Sequence, residues 1–87
     1  MRPHANIPAE VREAIRLHRG LADQYTEEAR RQAERADAAQ SDRARLFHRD
    51  NIQRSRRNAA YHASEAKRHA EYLNSITRPA LVAAAAE

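Results

Sequence analysis

The chain has 87 residues, with sixteen Lys and Arg against twelve Asp and Glu, a formal charge of +4, and no cysteine. That excludes disulfides, thiolate metal sites and cysteine nucleophiles, and no apolar run approaches the roughly 18–20 residues of a membrane span. Hydrophobic residues make up 41% of the chain, but twenty of them are Ala, so a deep independent core is out of reach and the chain must be elongated, self-associated or bound to something larger.

In chain order, Met1-Arg2-Pro3-His4 has no apolar stretch behind its Arg, which reads as no secretory signal and a cytoplasmic location. Residues 1–7 form an N-terminal arm. Pro8 suits a first helical turn, with Asn6 or Ile7 as its cap, and Glu10 and Glu13 lie near the positive end of that helix. The spacing predicts a first helix over 8–39. Its seam runs through Val11, Ile15, His18, Ala22, Tyr25, Ala29, Ala33 and Ala36, closer to an eleven-residue period than to seven. Gly20 is the one place where this helix would divide and give three helices.

The weakest helical stretch is Asp37-Ala-Ala-Gln-Ser-Asp42, where Ser41 or Asp42 can cap a second helix over 42–78. There Ile52, Ala59, Ala66 and Leu73 recur every seven residues, with Ala63, Ala70 and Ile76 beside them. Arg78 closes the last turn and Pro79 ends the helix, leaving 79–87 as an Ala-rich tail with Leu81 and Val82 as docking anchors. Val and Ile never alternate with polar residues, so strands are unsupported. The expected fold is all-α: a long antiparallel hairpin of two helices.

A turn near residue 40 pairs positions whose numbers sum to about 81. Ile15 then meets Ala66, Ala29 meets Ile52, and His18 arrives near His62. Large residues face small ones, which lets two helices approach closely. Folding also lays residues 20–42, six acids and three Arg, beside residues 43–57, six Arg and one Asp. Leu17, Leu21, Leu46, Phe47, Tyr61 and Tyr72 cannot all face the seam. They predict a second apolar strip that a homo-oligomer would cover, as a four-helix bundle or coiled coil.

Arg43, Arg45, Arg49, Arg54, Arg56 and Arg57 fall within fifteen residues of one helix. Guanidinium forks suit phosphate oxygens, so the cluster points to a polyanion such as nucleic acid, or to an acidic protein partner. Against this, Glu27, Glu28, Glu34 and Asp37 on the facing helix are placed to neutralise it. Arg49, Arg56 and Arg45 share one side, whereas Arg43, Arg54 and Arg57 point elsewhere. Phe47 and Tyr61 only flank the cluster.

Arg57-Asn-Ala-Ala-Tyr-His62 and Arg43-Ala-Arg-Leu-Phe-His48 both read R-x4-H. The spacing resembles the short motif of HEPN-type ribonucleases, in which Arg and His line a dimer cleft and assist attack of a 2′-hydroxyl on phosphate. The resemblance covers six residues, and fifteen Arg in 87 residues make such spacings common by chance. His48, His62 and His69 fall on one line at multiples of seven, with Ser55 filling the gap. His62, Glu65 and His69 share a helix face and offer nitrogen and oxygen ligands, with His18 approaching from the other arm. A hydrogen-bonded interfacial histidine is the commoner use of such residues.

There is no Gly-rich phosphate loop, no nucleophile context around the serines and no shielded carboxylate pair. The expectation is a non-catalytic interaction protein without metal, cofactor or small-molecule substrate. It self-associates and presents its Arg-rich face to a polyanion or acidic partner. The alternatives are a purely structural scaffold in which the Arg residues only make salt bridges, and an R-x4-H ribonuclease.

Overall fold

The structure, a computed structural model, describes the backbone of residues 7–86 and the side chains of residues 7–78. The expectations for the N-terminal arm before Ile7 and for Leu81 and Val82 as anchors lie outside the described residues. Helix α1 spans Ile7–Ala38 and helix α2 spans Asp42–Ala86. They form an antiparallel hairpin with extents of 68 × 32 × 13 Å, and no strand occurs among the described residues. No helix there is long and apolar enough to cross a membrane.

The turn is short because both helix ends satisfy themselves locally. The Ala39 N–H donates to the Ala36 carbonyl at 3.2 Å, tightening the last turn of α1. Ser41 then caps α2: its Oγ accepts the Ala44 N–H at 3.1 Å and its carbonyl accepts the Arg45 N–H at 3.1 Å. At the other end Pro8 sits in the first turn of α1, where its missing N–H removes no helical bond. Gly20 does not divide α1; the helix passes through it with ordinary right-handed φ.

The seam is built from two heptad lanes on each helix. On α1 one lane is Ile15, Ala22, Ala29 and Ala36, and the other is Val11, His18, Tyr25 and Gln32. On α2 the lanes are Ile52, Ala59, Ala66 and Leu73, and His48, Ser55, His62, His69 and Ile76. Val11, Ile15, Ala29, Ala36, Ile52 and Ala66 are buried, as are Gln32 and Ser55. Ala29, Ala36 and Ile52 form one apolar cluster with Ala33 packed against it. The eleven-residue reading of α1 is therefore corrected. Gln32 takes the next place in the Val11–His18–Tyr25 lane while Ala33 packs on its flank, and with Gln32 the period becomes seven, that of two helices wound about each other.

The second correction concerns the end of α2, which continues through Pro79 to Ala86, eight residues beyond the expected stop. A proline inside a helix forfeits one hydrogen bond, here to the Ser75 carbonyl, at a cost of about 3 kcal/mol. The following Ala-rich stretch has high helix propensity and contains no other breaker. Just before the proline, Ser75 Oγ donates to the Tyr72 carbonyl at 2.7 Å and Thr77 Oγ1 to the Leu73 carbonyl at 2.9 Å. These back-bonds serve the carbonyls one turn before the one that Pro79 leaves without its helical donor, and side-chain bonds of this kind accompany bends in helices.

Candidate nucleic-acid interface

The heptad lanes give the hairpin two unlike sides. On one side the second lanes of both helices face each other and make a polar stripe. His48 Nδ1 lies 2.9 Å from Gln32 Oε1, and His18 Nδ1 lies 2.9 Å from His62 Nδ1. The His62 ring also stacks on Tyr25, with centroids 5.7 Å apart, and the His18 ring stacks on His69 at 5.4 Å. His18 does meet His62, as the pairing rule expects.

On the other side lies an open groove floored by Ala and lined by cations. Arg12, Arg16 and Arg19 line it near the free ends of the helices, with Ala70 and Leu73 opposite. Lys67 joins Arg19 over Ala22, Ala63 and Ala66. Arg30 and Arg56 flank Ala29, Ala33 and Ala59 at mid-length, and Arg45 and Arg49 border Ala36 and Ala39 at the turn. Asp23 and Asp37 are the acids along these walls. Small residues on both helices make the floor, and long basic side chains seven residues apart make the rim: Arg12 with Arg19, and Arg49 with Arg56.

The arginine cluster of α2 is thus split. Arg45, Arg49 and Arg56 line the groove, whereas Arg43, Arg54 and Arg57 are exposed away from it. Arg57 donates to its own helix at the Gln53 carbonyl, 3.5 Å. Arg12, Arg19 and Lys67 were missed from sequence because they lie outside the dense run; their signal is position, one step beyond the seam on the same side as Arg49 and Arg56.

The acids of α1 do not neutralise the cluster through direct pairs. Arg30 binds both Glu27 and Glu34 on its own helix, and Arg31 lies 3.8 Å from Glu27. The Arg30 hydrogen bond holds the Glu27 carboxyl below its usual carboxylate range and raises Arg30 in turn. Glu13 pairs with Arg16, Asp42 with Arg45 at 3.6 Å and Glu65 with Arg68 at 2.9 Å. Neighbours three and four apart on one helix meet at lower entropic cost than chains reaching across the seam. Among the described residues, Arg12, Arg19, Arg35, Arg43, Arg49, Arg54, Arg56, Arg57, Lys67 and Arg78 have no acid partner.

The R-x4-H pairs are not assembled on one chain. Five residues of helix turn through about 500°, which sets Arg57 on the outer side while His62 lies in the seam against His18. Arg43 and His48 are parted in the same way, His48 being held by Gln32.

Of the six apolar residues expected on an outer strip, Leu46, Phe47 and Tyr61 are 59%, 63% and 59% exposed, and Leu17 and Tyr72 are also exposed. Leu21 is half-buried. Phe47 and Tyr61 share the outer face of α2, fourteen residues apart with Arg54 midway; Leu17 lies on the other helix. Comparison with known protein families, characterised proteins and solved structures returns no match to this chain.

Proposed function

We propose that this chain is a helical interaction module that binds a nucleic acid through the Ala-floored, Arg-lined side of the hairpin. The observation that supports the reading is the set of unpaired cations on both helices: Arg12, Arg19 and Lys67 at one end, Arg49 and Arg56 towards the other. Guanidinium groups present fixed forks to phosphate oxygens. A rigid hairpin holds their backbone positions in a row, so only the side chains are ordered on binding, and small floor residues let a backbone approach. Self-association belongs to the same proposal: Phe47 and Tyr61 are exposed on a face of α2 that does not line the groove, so an oligomer formed there leaves the cationic side open. The role is binding, without a catalytic step.

The test is fluorescence anisotropy of labelled RNA, single-stranded DNA and duplex DNA against the chain, Arg45/Arg49/Arg56→Gln and Arg43/Arg54/Arg57→Gln. The proposal expects at least tenfold weaker binding from the first variant and a smaller loss from the second. Equal losses would move the interface to the whole of α2. No binding of any probe at low salt would leave an acidic protein partner or a scaffold role.

A further inference from the structure

The geometry points to a divalent transition-metal site that clasps the two helices: His18 from α1 with Glu65 and His69 from α2. One donor atom of each lies within 4.8 Å of the other two. Glu65 and His69 are one turn apart on the same helix face, with His69 Nε2 3.9 Å from Glu65 Oε2. His18 comes from the other chain segment and stacks nearly parallel to His69, at 16° between ring planes. From sequence no metal is expected here, and the trio also differs from His62, Glu65 and His69, the residues whose spacing offers ligands on one helix face. His62 instead faces His18, nitrogen to nitrogen, at 2.9 Å.

The surroundings are those of a metal site. A metal-bound histidine is oriented by a hydrogen bond at its other ring nitrogen. The His18 Nδ1–His62 Nδ1 contact provides that bond and leaves His18 Nε2 as the nitrogen for the ion. The Glu65 carboxylate is likewise held from behind, its Oε1 accepting from Arg68 Nη1 at 2.9 Å, while Oε2 faces His69. Glu65 is only 20% exposed and His18 and His69 are half-buried, so the donors are shielded on the protein side and open to an entering ion.

Two imidazoles and a carboxylate suit zinc, cobalt or nickel rather than magnesium or calcium, which prefer oxygen alone. Tetrahedral zinc with bonds of about 2.0–2.1 Å needs donors about 3.3 Å apart, so the donors must draw closer by up to about 1.5 Å and the nearly parallel His18 and His69 rings must turn until their in-plane lone pairs converge. A water completes the fourth position. Because the ligands come from both helices, the ion binds the folded hairpin and not the open chain, and it stabilises the end farther from the turn.

Zinc and cobalt titrations of the chelator-treated chain test this. Binding of one ion per chain, an intense visible band for cobalt and a melting temperature raised by about 10–20 °C at a zinc concentration a hundredfold over Kd are expected. Glu65→Gln and His69→Gln should each weaken zinc at least tenfold while the metal-free melting temperature stays near that of the parent. Arg68→Ala should weaken it by a smaller factor through the carboxylate's orientation. His48→Gln, remote from the trio, should leave affinity unchanged. Zinc binding that is insensitive to Glu65→Gln and His69→Gln, or absent at 0.1 mM (an order-of-magnitude ceiling, about 10⁻⁴ M, for a built site), would overturn the assignment.

Discussion

Single residues in this hairpin divide by what they must fit. Ala66 is 4% exposed, the least exposed of the buried hydrophobic residues described, so its size matters more than its polarity. Ala66→Leu should overpack the seam and cost about 1–3 kcal/mol in chemical denaturation. A neutral result would mean that the helices are farther apart than the structure has them. Gln32 and His48 behave differently. Gln32→Ala removes one partner of a hydrogen bond beside the core and should cost about 1–3 kcal/mol. Replacing both with Leu should recover much of that loss, since no buried polar group is then left alone. A double-mutant cycle measures the coupling and would refute the account if the two losses simply added.

At the scale of the helix, Gly20 is the cheapest site to improve. It lies inside α1 with right-handed φ, and a Cβ there would meet nothing within 4 Å. Gly20→Ala should therefore stabilise by about 0.5–1 kcal/mol, through propensity and a less free unfolded chain. Destabilisation would reveal a close neighbour that the hairpin alone lacks. The polar lane also does something that the Ala lane cannot. Ala recurs every seven residues on both helices, so sliding one past the other by a heptad still sets Ala against Ala. The pairs His18–His62 and Gln32–His48, with the short turn capped by Ser41, distinguish the native register from such slips.

Much of this was legible in the amino-acid sequence for a physical reason. The breaker-poor interior, the Ser41 cap and the sevenfold Ile52-Ala59-Ala66-Leu73 lane are local signals that the tertiary structure does not override. Gln32 was hidden because hydrophobic periodicity is silent about a polar residue in a seam, whereas Ser55 was legible from the sevenfold spacing of His48 and His62; Ala33, one step from Gln32, lengthened the apparent period of α1. Pro79 misled because a single lost bond is weaker than the helix propensity that follows it. The arginine cluster was visible as a run, but its division between groove and outer face depends on where the seam lies, and the partners of Arg12 and Arg19 across the groove are distant in sequence.

For the whole molecule the sparse core is the governing fact. A thin hairpin with, among the described residues, six buried hydrophobic side chains and none fully buried leaves Phe47, Leu46 and Tyr61 in solvent. If these faces associate, sedimentation velocity should show a dimer or larger species at micromolar concentration, and Phe47→Glu with Tyr61→Glu should return it to a monomer of lower melting temperature. A parent that sediments as a monomer would remove self-association from the proposal without touching the groove on the other side.

The groove is tested most directly by the salt dependence of nucleic-acid affinity. Plotted as log K against log salt, each phosphate contact contributes a slope of about −0.9 on duplex DNA and about −0.7 on a single strand. The account predicts a steep line for the parent and a line shallower by two to three contacts' worth, about 2–3 units on duplex DNA, for Arg45/Arg49/Arg56→Gln. Parallel lines for parent and variant, or binding indifferent to salt, would contradict it.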